Sequence, residues 1–299
     1  MKSEKKSLAV YLLLVFVLSW AFMFLVIYPT AERAPAAYRS LASVCMFFPT
    51  ACMLLTRLLT KEGFGDLLLK PRFRGHIRHY LLAYFGPGAL ILLGAALYFL
   101  LFPHRLDWSA PLFRQSMAQA GIDYEAQAVP AHMLLLLQAA QAWLLGGLVN
   151  LIYALGEEWG WRGYMMPKLL QLTRPVPAVL LGGVIWGLWH APLIALGHNY
   201  GTGYPGWPWA GIGAMCLLCV GMGAFFTYLT ERTGSCIPAA LAHGAVNAIS
   251  SVAIYLTADG GNPFVGPAPT GIIGGLPLLL AGLLALFWLA RRPAKTEEA

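Results

Sequence analysis

Charged side chains are scarce in this chain: only 11% of its 299 residues are Asp, Glu, Lys or Arg, against about a quarter in a soluble globular domain. With 59% of the residues hydrophobic, that deficit excludes an ordinary water-soluble domain and makes lipid the main solvent. Segments of alternating polar and apolar residues are also missing, which excludes a membrane β-barrel. No repeat of fixed period appears, and no shift in composition divides the chain, so residues 1–299 read as a single integral-membrane domain. Cysteines are few. Cys45, Cys52, Cys216, Cys219 and Cys236 all fall within or beside apolar runs, and the Cys-x-x-Cys pair at 216 and 219 reads as two small core residues rather than a metal or redox site.

What the chain does have is long apolar runs, at about 8–28, 40–59, 80–102, 132–155, 177–196, 209–229, 236–256 and 270–290. Each is long enough, or nearly so, to cross about 30 Å of hydrocarbon, where backbone groups must be satisfied inside their own segment. The fold class predicted is therefore all-α, a polytopic membrane helix bundle with about eight transmembrane helices. Lys2, Lys5 and Lys6 precede the first run, but it is longer than a signal-peptide core and no small-x-small cleavage site follows before Ala31, so it reads as a retained anchor.

Orientation follows from Lys and Arg. With the N-terminus inside, the inner segments hold Lys2, Lys5, Lys6, Arg57, Lys61, Lys70, Arg72, Arg74, Arg78, Arg162, Lys168, Arg174, Arg232, Arg291, Arg292 and Lys295. Only Arg33, Arg39, Arg105 and Arg114 fall outside, so 16 of the 20 basic residues are inner. Both termini are thus expected in the cytoplasm of a multi-pass cell-membrane protein. The net charge of +7 is accounted for by basic loops facing anionic lipid, without nucleic acid as a partner. The stretch 103–130 is external, either an interfacial helix carrying Trp108, Leu112, Phe113 and Met117 or a disordered loop. The stretch 157–174, with Trp159, Trp161, Tyr164 and two prolines at its end, reads as an interfacial connection that puts Glu157 and Glu158 at the inner end of the fourth helix.

Ionisable groups at membrane depth are expensive and face a cavity or a partner. Glu157 and Glu158 close a long apolar run, and Arg162 follows Glu158 at helical spacing. A division follows: Arg162 holds Glu158, while Glu157 points about 100° away into the bundle. His190 lies within the fifth run, and His243 and Asn247, four apart, share a face of the seventh. Taken singly, these are equally satisfied core residues or interhelical hydrogen-bond partners. Together, two histidines, a carboxylate and an amide make either a metal site or a water-activating site. In a metal-free version Glu157 is the base, His190 orients the water, and His243 and Asn247 donate to the tetrahedral oxyanion. In the metal version Glu157, His190 and His243 are a three-ligand set for Zn2+ with one open position. The common helical zinc-protease motif His-Glu-x-x-His and the Gly-x-Ser-x-Gly nucleophile elbow are both absent.

At these residues the chain resembles the CAAX-prenyl-protease and bacteriocin-processing (CPBP, Abi) family of intramembrane proteases. Glu157, Glu158 and Arg162 match a Glu-Glu-x-x-x-Arg motif; His190 matches a Phe-x-x-x-His motif, with Trp186 in the aromatic place; His243 and Asn247 match His-x-x-x-Asn. The resemblance covers about 150–250, the protease core. It implies a glutamate- or metal-dependent endopeptidase in an α-helical bundle, with Glu157, Glu158, Arg162, His190, His243 and Asn247 as site residues. The implied partner is a peptide or protein substrate, either prenylated or bacteriocin-like. Two other functions fit the same bundle: a non-catalytic immunity or scaffold protein that binds a peptide partner, and a transporter with a polar path, although no pair of broken spans recurs in matching halves.

Overall fold

The apolar runs fold as helices, with breaks where proline, glycine and polar residues fall. The computed structural model describes residues 2–124 and 128–291. From the N-terminus, α1 (Lys2–Phe22) runs through a π-helical turn, Met23–Ile27, into α2 (Tyr28–Arg33). Next come α3 (Pro35–Cys45), α4 (Phe48–Thr60), α5 (Ile77–Leu101) and the short α6 (Pro111–Gln119). The central part comprises α7 (Ala131–Val149), α8 (Leu151–Gly160), a π-helical turn at Trp161–Met165, α9 (Met166–Leu172) and α10 (Pro175–Trp189). The chain ends with α11 (Ala191–Ala195), α12 (Trp209–Thr233), α13 (Ile237–Ile249) with its 3₁₀ extension Val252–Leu256, and α14 (Leu276–Ala290). Among the described residues no strand forms, beyond one isolated bridge between Asn262 and Gly266. This is the all-α polytopic bundle that composition predicts.

Six segments are long and apolar enough to cross a membrane: 3–31, 40–60, α5, α7, α12 and 237–256. The other two expected spans are shorter, at Pro175–Trp189 and Leu276–Ala290. The fifth run, predicted to continue to 196, instead turns at His190, which ends α10 and starts α11. The centre of the bundle is α12 and α13, whose most apolar windows are 61% and 67% buried, against 22% to 33% in the other four spans. Peripheral helices turn leucines outward, among them Leu144, Leu148, Leu283 and Leu284, as lipid-facing surfaces require.

Helices approach closely where glycine removes a side chain, the usual device in a solvent that gives no hydrophobic drive to association. A Cβ on Gly160 would come within 2.5 Å of Pro49 C, and one on Gly156 within 2.7 Å of Met46 O, so α8 lies directly against the start of α4. Gly183 and Gly187 do the same for α10 against Val220 and Cys216 of α12.

The helices alternate, so their connections collect at two ends. At one end, Lys168 donates to Glu4 at 2.5 Å and Glu62 at 3.0 Å, Tyr164 donates to Glu62 at 3.0 Å, and Arg57 pairs with Asp66 at 2.8 Å. Burial pushes the Glu62 carboxyl up, but hydrogen bonds from Ser7, Lys168 and Tyr164 outweigh it and leave its pKa below the ordinary carboxylate value. At the other end, Arg105 pairs with Asp259 at 2.8 Å, and α6 docks against the 3₁₀ turn through Phe113 and Tyr255. The first end carries most of the Lys and Arg. Arg292 and Lys295 lie outside the described residues, as do positions 125–127 of the 103–130 stretch.

Two placements differ from the sequence reading. The stretch 157–174 is not a connection: helix continues to Leu172, because a π turn and α9 absorb the aromatic residues into the core, where Trp161 and Tyr164 are buried. Glu157 and Glu158 consequently lie within a helix rather than at its inner end, and Arg162 is a buried group rather than an inner-loop charge.

Gly160→Ala is expected to lower stability by about 1–3 kcal/mol, the usual cost of overpacking, because Pro49 backbone cannot yield. Gly213, whose added Cβ would meet nothing within 4 Å, serves as the control, and Gly213→Ala should leave the melting temperature in detergent unchanged.

Candidate active site

The two adjacent glutamates have separate partners. Glu158 is fully buried; one guanidinium nitrogen of Arg162 lies 3.1 Å from its Oε1 and 3.0 Å from its Oε2. His243 Nδ1 stands 2.8 Å from the same Oε1, and against a carboxylate oxygen the ring nitrogen is the donor. The Arg162 guanidinium lies over the rings of Trp186, at 4.2 Å, and Phe226, at 5.3 Å. Phe226 also stacks on His243, with ring centroids 5.8 Å apart. A buried carboxylate is thereby matched by a cation and an imidazole, as its desolvation requires.

Glu157, about 100° further round the helix, belongs to a different environment. Its Oε2 accepts from the indole nitrogens of Trp186, at 2.8 Å, and Trp161, at 3.3 Å. Its Oε1 makes no hydrogen bond among the described residues. The π-helical turn at Trp161–Met165 lies immediately after α8 and carries both Trp161 and Arg162, in keeping with the tendency of π turns to occur at functional sites.

His190 caps α10, and its Nδ1 is 2.9 Å from the Trp186 carbonyl, which accepts from it. That bond directs its lone pair to Nε2. Asn247 lies one turn beyond His243 on α13, exposed and without a hydrogen bond among the described residues.

A cavity of about 550 Å³ brings these groups together. Glu157, His190, His243 and Asn247 all line it, with Trp186 and Met222 among the wall residues. Glu158 and Arg162 do not line it. Of the six residues singled out from sequence, four thus meet at one chamber, and two form the ion pair against which His243 rests. Sequence reasoning missed the indole donors, although Trp186 stood in the aromatic place of its motif. It also missed His198 and Tyr38, which pair at 3.2 Å and line the same cavity; nothing in their spacing marks them.

The expected metal-ligand set, Glu157, His190 and His243, lines one cavity without being gathered round a single point. Among the described residues no three His, Cys, Asp or Glu side chains converge to hold a metal ion. Each member of the expected set has one atom engaged within the protein, Glu157 Oε2 by two indoles, His190 Nδ1 by a carbonyl and His243 Nδ1 by Glu158, which is the outer bonding that metal-ligating histidines also have. The Cys216–Cys219 pair holds no disulfide; both are free thiols, and Cys219 is a buried wall residue of the cavity.

Residues 139–249 match the family model described as type II CAAX prenyl endopeptidase, Rce1-like. A curated relative, the CAAX prenyl protease 2 of Methanococcus maripaludis, is 42% identical over 50 residues, which is 17% of this chain and 18% of that protein. The chain is therefore aligned with less than a fifth of that relative's length. The matched region contains Glu157, Glu158, Arg162, His190, His243 and Asn247, and the match bears out the resemblance to the CAAX-protease family.

The two glutamates should differ sharply in their effect on folding. Arg162→Ala leaves Glu158 as a buried charge with half its compensation removed, a loss of about 3–5 kcal/mol that should appear as a large fall in detergent melting temperature. Glu157→Gln retains an oxygen for both indoles and should melt close to the wild type.

Proposed function

We propose that this multi-pass membrane protein, with its Rce1-like segment at 139–249, is an intramembrane endopeptidase of the CAAX type in which Glu157 activates the hydrolytic water. The observation that supports this most directly is the chamber itself: one carboxylate, two imidazoles and one amide line a single cavity inside an apolar bundle, while the neighbouring carboxylate is committed to Arg162 and His243.

Peptide hydrolysis needs a proton acceptor for water and donors for the oxygen of the attacked carbonyl. Glu157 Oε1 is the acceptor, since Oε2 is saturated by indole N–H groups. His190 Nε2 accepts from the same water and orients it. As the water oxygen bonds to the carbonyl carbon, its proton passes to Glu157 and charge collects on the carbonyl oxygen. The Asn247 amide and His243, which in its imidazolium form gives Nδ1–H to Glu158 and Nε2–H to the substrate, donate to that oxygen; such donors contribute about 3–4 kcal/mol each. Glu157 then returns the proton to the amide nitrogen, the C–N bond breaks, and the products are a carboxylic acid and an amine, the acid passing its proton to the amine to leave a carboxylate and an ammonium group. The reaction as written uses only protein groups.

The substrate class is a membrane-associated peptide or protein. The archaeal relative is named for CAAX prenyl proteins, and the wall residues Met215, Leu218 and Met222 suit an apolar group beside the scissile bond. A bacteriocin-like peptide presents the same chemistry.

Glu157→Gln should reduce cleavage by about 10²–10⁴-fold, the range contributed by a positioned base, with insertion and melting temperature retained; product release from a candidate peptide by the purified protein measures it. Turnover equal to wild type in that variant removes the reading. Because the reaction is written without a metal, 1,10-phenanthroline at concentrations that strip zinc should leave the wild-type rate unchanged, and its abolition by the chelator would restore the three-ligand alternative.

A further inference from the structure

The end of the bundle that carries most of the Lys and Arg has more positive charge than its own carboxylates neutralise. Glu4 and Glu62 are taken by Lys168, and Asp66 by Arg57. Lys70, Arg72, Arg74, Arg78, Arg232 and Arg291 make no ion pair among the described residues. All of these but Arg232 are exposed.

Several of these cations gather where the start of α5 meets the ends of α12 and α14. Arg232, in the last turn of α12, donates from Nε to His79 Nε2 at 3.3 Å. Its guanidinium lies over the Trp288 ring of α14 at 5.2 Å. Tyr228, one turn earlier on α12, joins both neighbours, with ring centroids 4.9 Å from Trp288 and 6.0 Å from His79. The Arg72 guanidinium rests against Gly234, which ends α12 in the left-handed conformation; Nη1 is 3.1 Å from where a Cβ would stand. Arg291 lies over the Phe287 ring at 3.9 Å, and Arg74 and Arg78 flank His76 in the sequence.

Polar groups at this junction lack acceptors. Nδ1 of His76 is buried and makes no hydrogen bond. The backbone N–H groups of Ile77 and Arg78, at the start of α5, find no acceptor among the described residues, and the helix dipole adds positive potential there. Together these groups call for an anion rich in oxygen. Beside them the helices are apolar and uncovered: Ile77 and Leu81 on α5, and Leu284 and Phe287 on α14, are exposed. Tyr228 and Trp288 are residue types that favour the headgroup level of a bilayer. A soluble anion would use the cations alone, whereas a phospholipid matches both the charge and the apolar flanks. Basic pockets between membrane helices bind acidic head groups in this way.

We infer that the junction of α5, α12 and α14 is a binding site for an anionic phospholipid, with its phosphate among Arg72, Arg78 and Arg232 and its acyl chains along α5 and α14.

Thermal unfolding of the purified protein in detergent tests it, with phosphatidylglycerol as the probe. Phosphatidylglycerol should raise the wild-type melting temperature saturably, whereas phosphatidylcholine and inorganic phosphate at the same concentration should not. Replacing Arg72, Arg78 and Arg232 together by Gln should abolish the shift. Arg78→Gln alone removes an exposed side chain without an ion pair, so its lipid-free melting temperature should equal that of the wild type. It should raise the phosphatidylglycerol needed for half the shift by about fivefold, the effect of one lost charge near a headgroup. Arg174→Gln removes an exposed cation outside the junction and should leave that concentration as in the wild type. An equal shift with phosphatidylcholine, or no change in Arg78→Gln, would overturn the inference. So would an equal weakening in Arg174→Gln, which would mark diffuse charge attraction, or an equal shift with inorganic phosphate, which would mark a site for a free anion. None of these measurements involves cleavage, so their outcome is separate from that of the protease reading.

Discussion

An ionised carboxylate in a lipid-embedded bundle is tolerable only if other groups of the protein compensate it, and Glu158 is the residue that imposes this condition. Its two oxygens meet Arg162 at 3.1 and 3.0 Å, and one of them meets His243 at 2.8 Å. Arg162 is in turn enclosed by the rings of Trp186 and Phe226. A single requirement, that one buried charge be matched, therefore ties α8, the π-helical turn, α10, α12 and α13 at one level. The reactive groups inherit their positions from it. His243 is held by Glu158, His190 by the Trp186 carbonyl, and Glu157 by the Trp186 and Trp161 indoles.

Such a cluster can form only if the helices come close, and the bundle manages this with small residues. Gly183 and Gly187 bring α10 onto α12, which sets Trp186 between Arg162 and Glu157. Gly244, next to His243, faces Asn150 and the Gly147 carbonyl, so α13 approaches the kinked junction of α7 and α8. A side chain at either contact would push apart the helices whose polar groups must touch. The glycines and the polar residues are thus two parts of one constraint, distance on one side and charge on the other.

Much of this was legible in the sequence, and the reasons differ from element to element. The long spans are dictated by hydrocarbon thickness, so α5 and α12 appear where hydropathy puts them. Arg162 facing Glu158 follows from helical spacing alone. The extent of α8 and α9 was not legible, since Trp159, Trp161, Tyr164 and Pro167 are equally at home at a membrane interface, and only tertiary packing against Tyr11 and Pro49 decides that they continue a helix. The turn at His190 was hidden for a similar reason: the run through Leu196 is apolar throughout, and Pro192 marks a new helix start only once the chain is seen to bend. The indole donors to Glu157 were invisible because a tryptophan in an apolar run carries no sign of where its N–H points.

Those indoles bear on the chemistry as much as on the packing. Trp Nε1 is a donor that cannot accept a proton. The two groups nearest to Glu157 Oε2 therefore fix the carboxylate without competing for what it is proposed to abstract. Had the neighbours been hydroxyls or carboxamides, the water would have found other acceptors beside the base. Instead, the lone pairs free for a water near Glu157 belong to its own Oε1 and to Nε2 of His190. Two consecutive glutamates, alike in the sequence, are thus made unlike by their partners: cation and imidazole turn Glu158 into a structural charge, while donor-only indoles leave Glu157 an oxygen with no hydrogen-bond partner among the described residues.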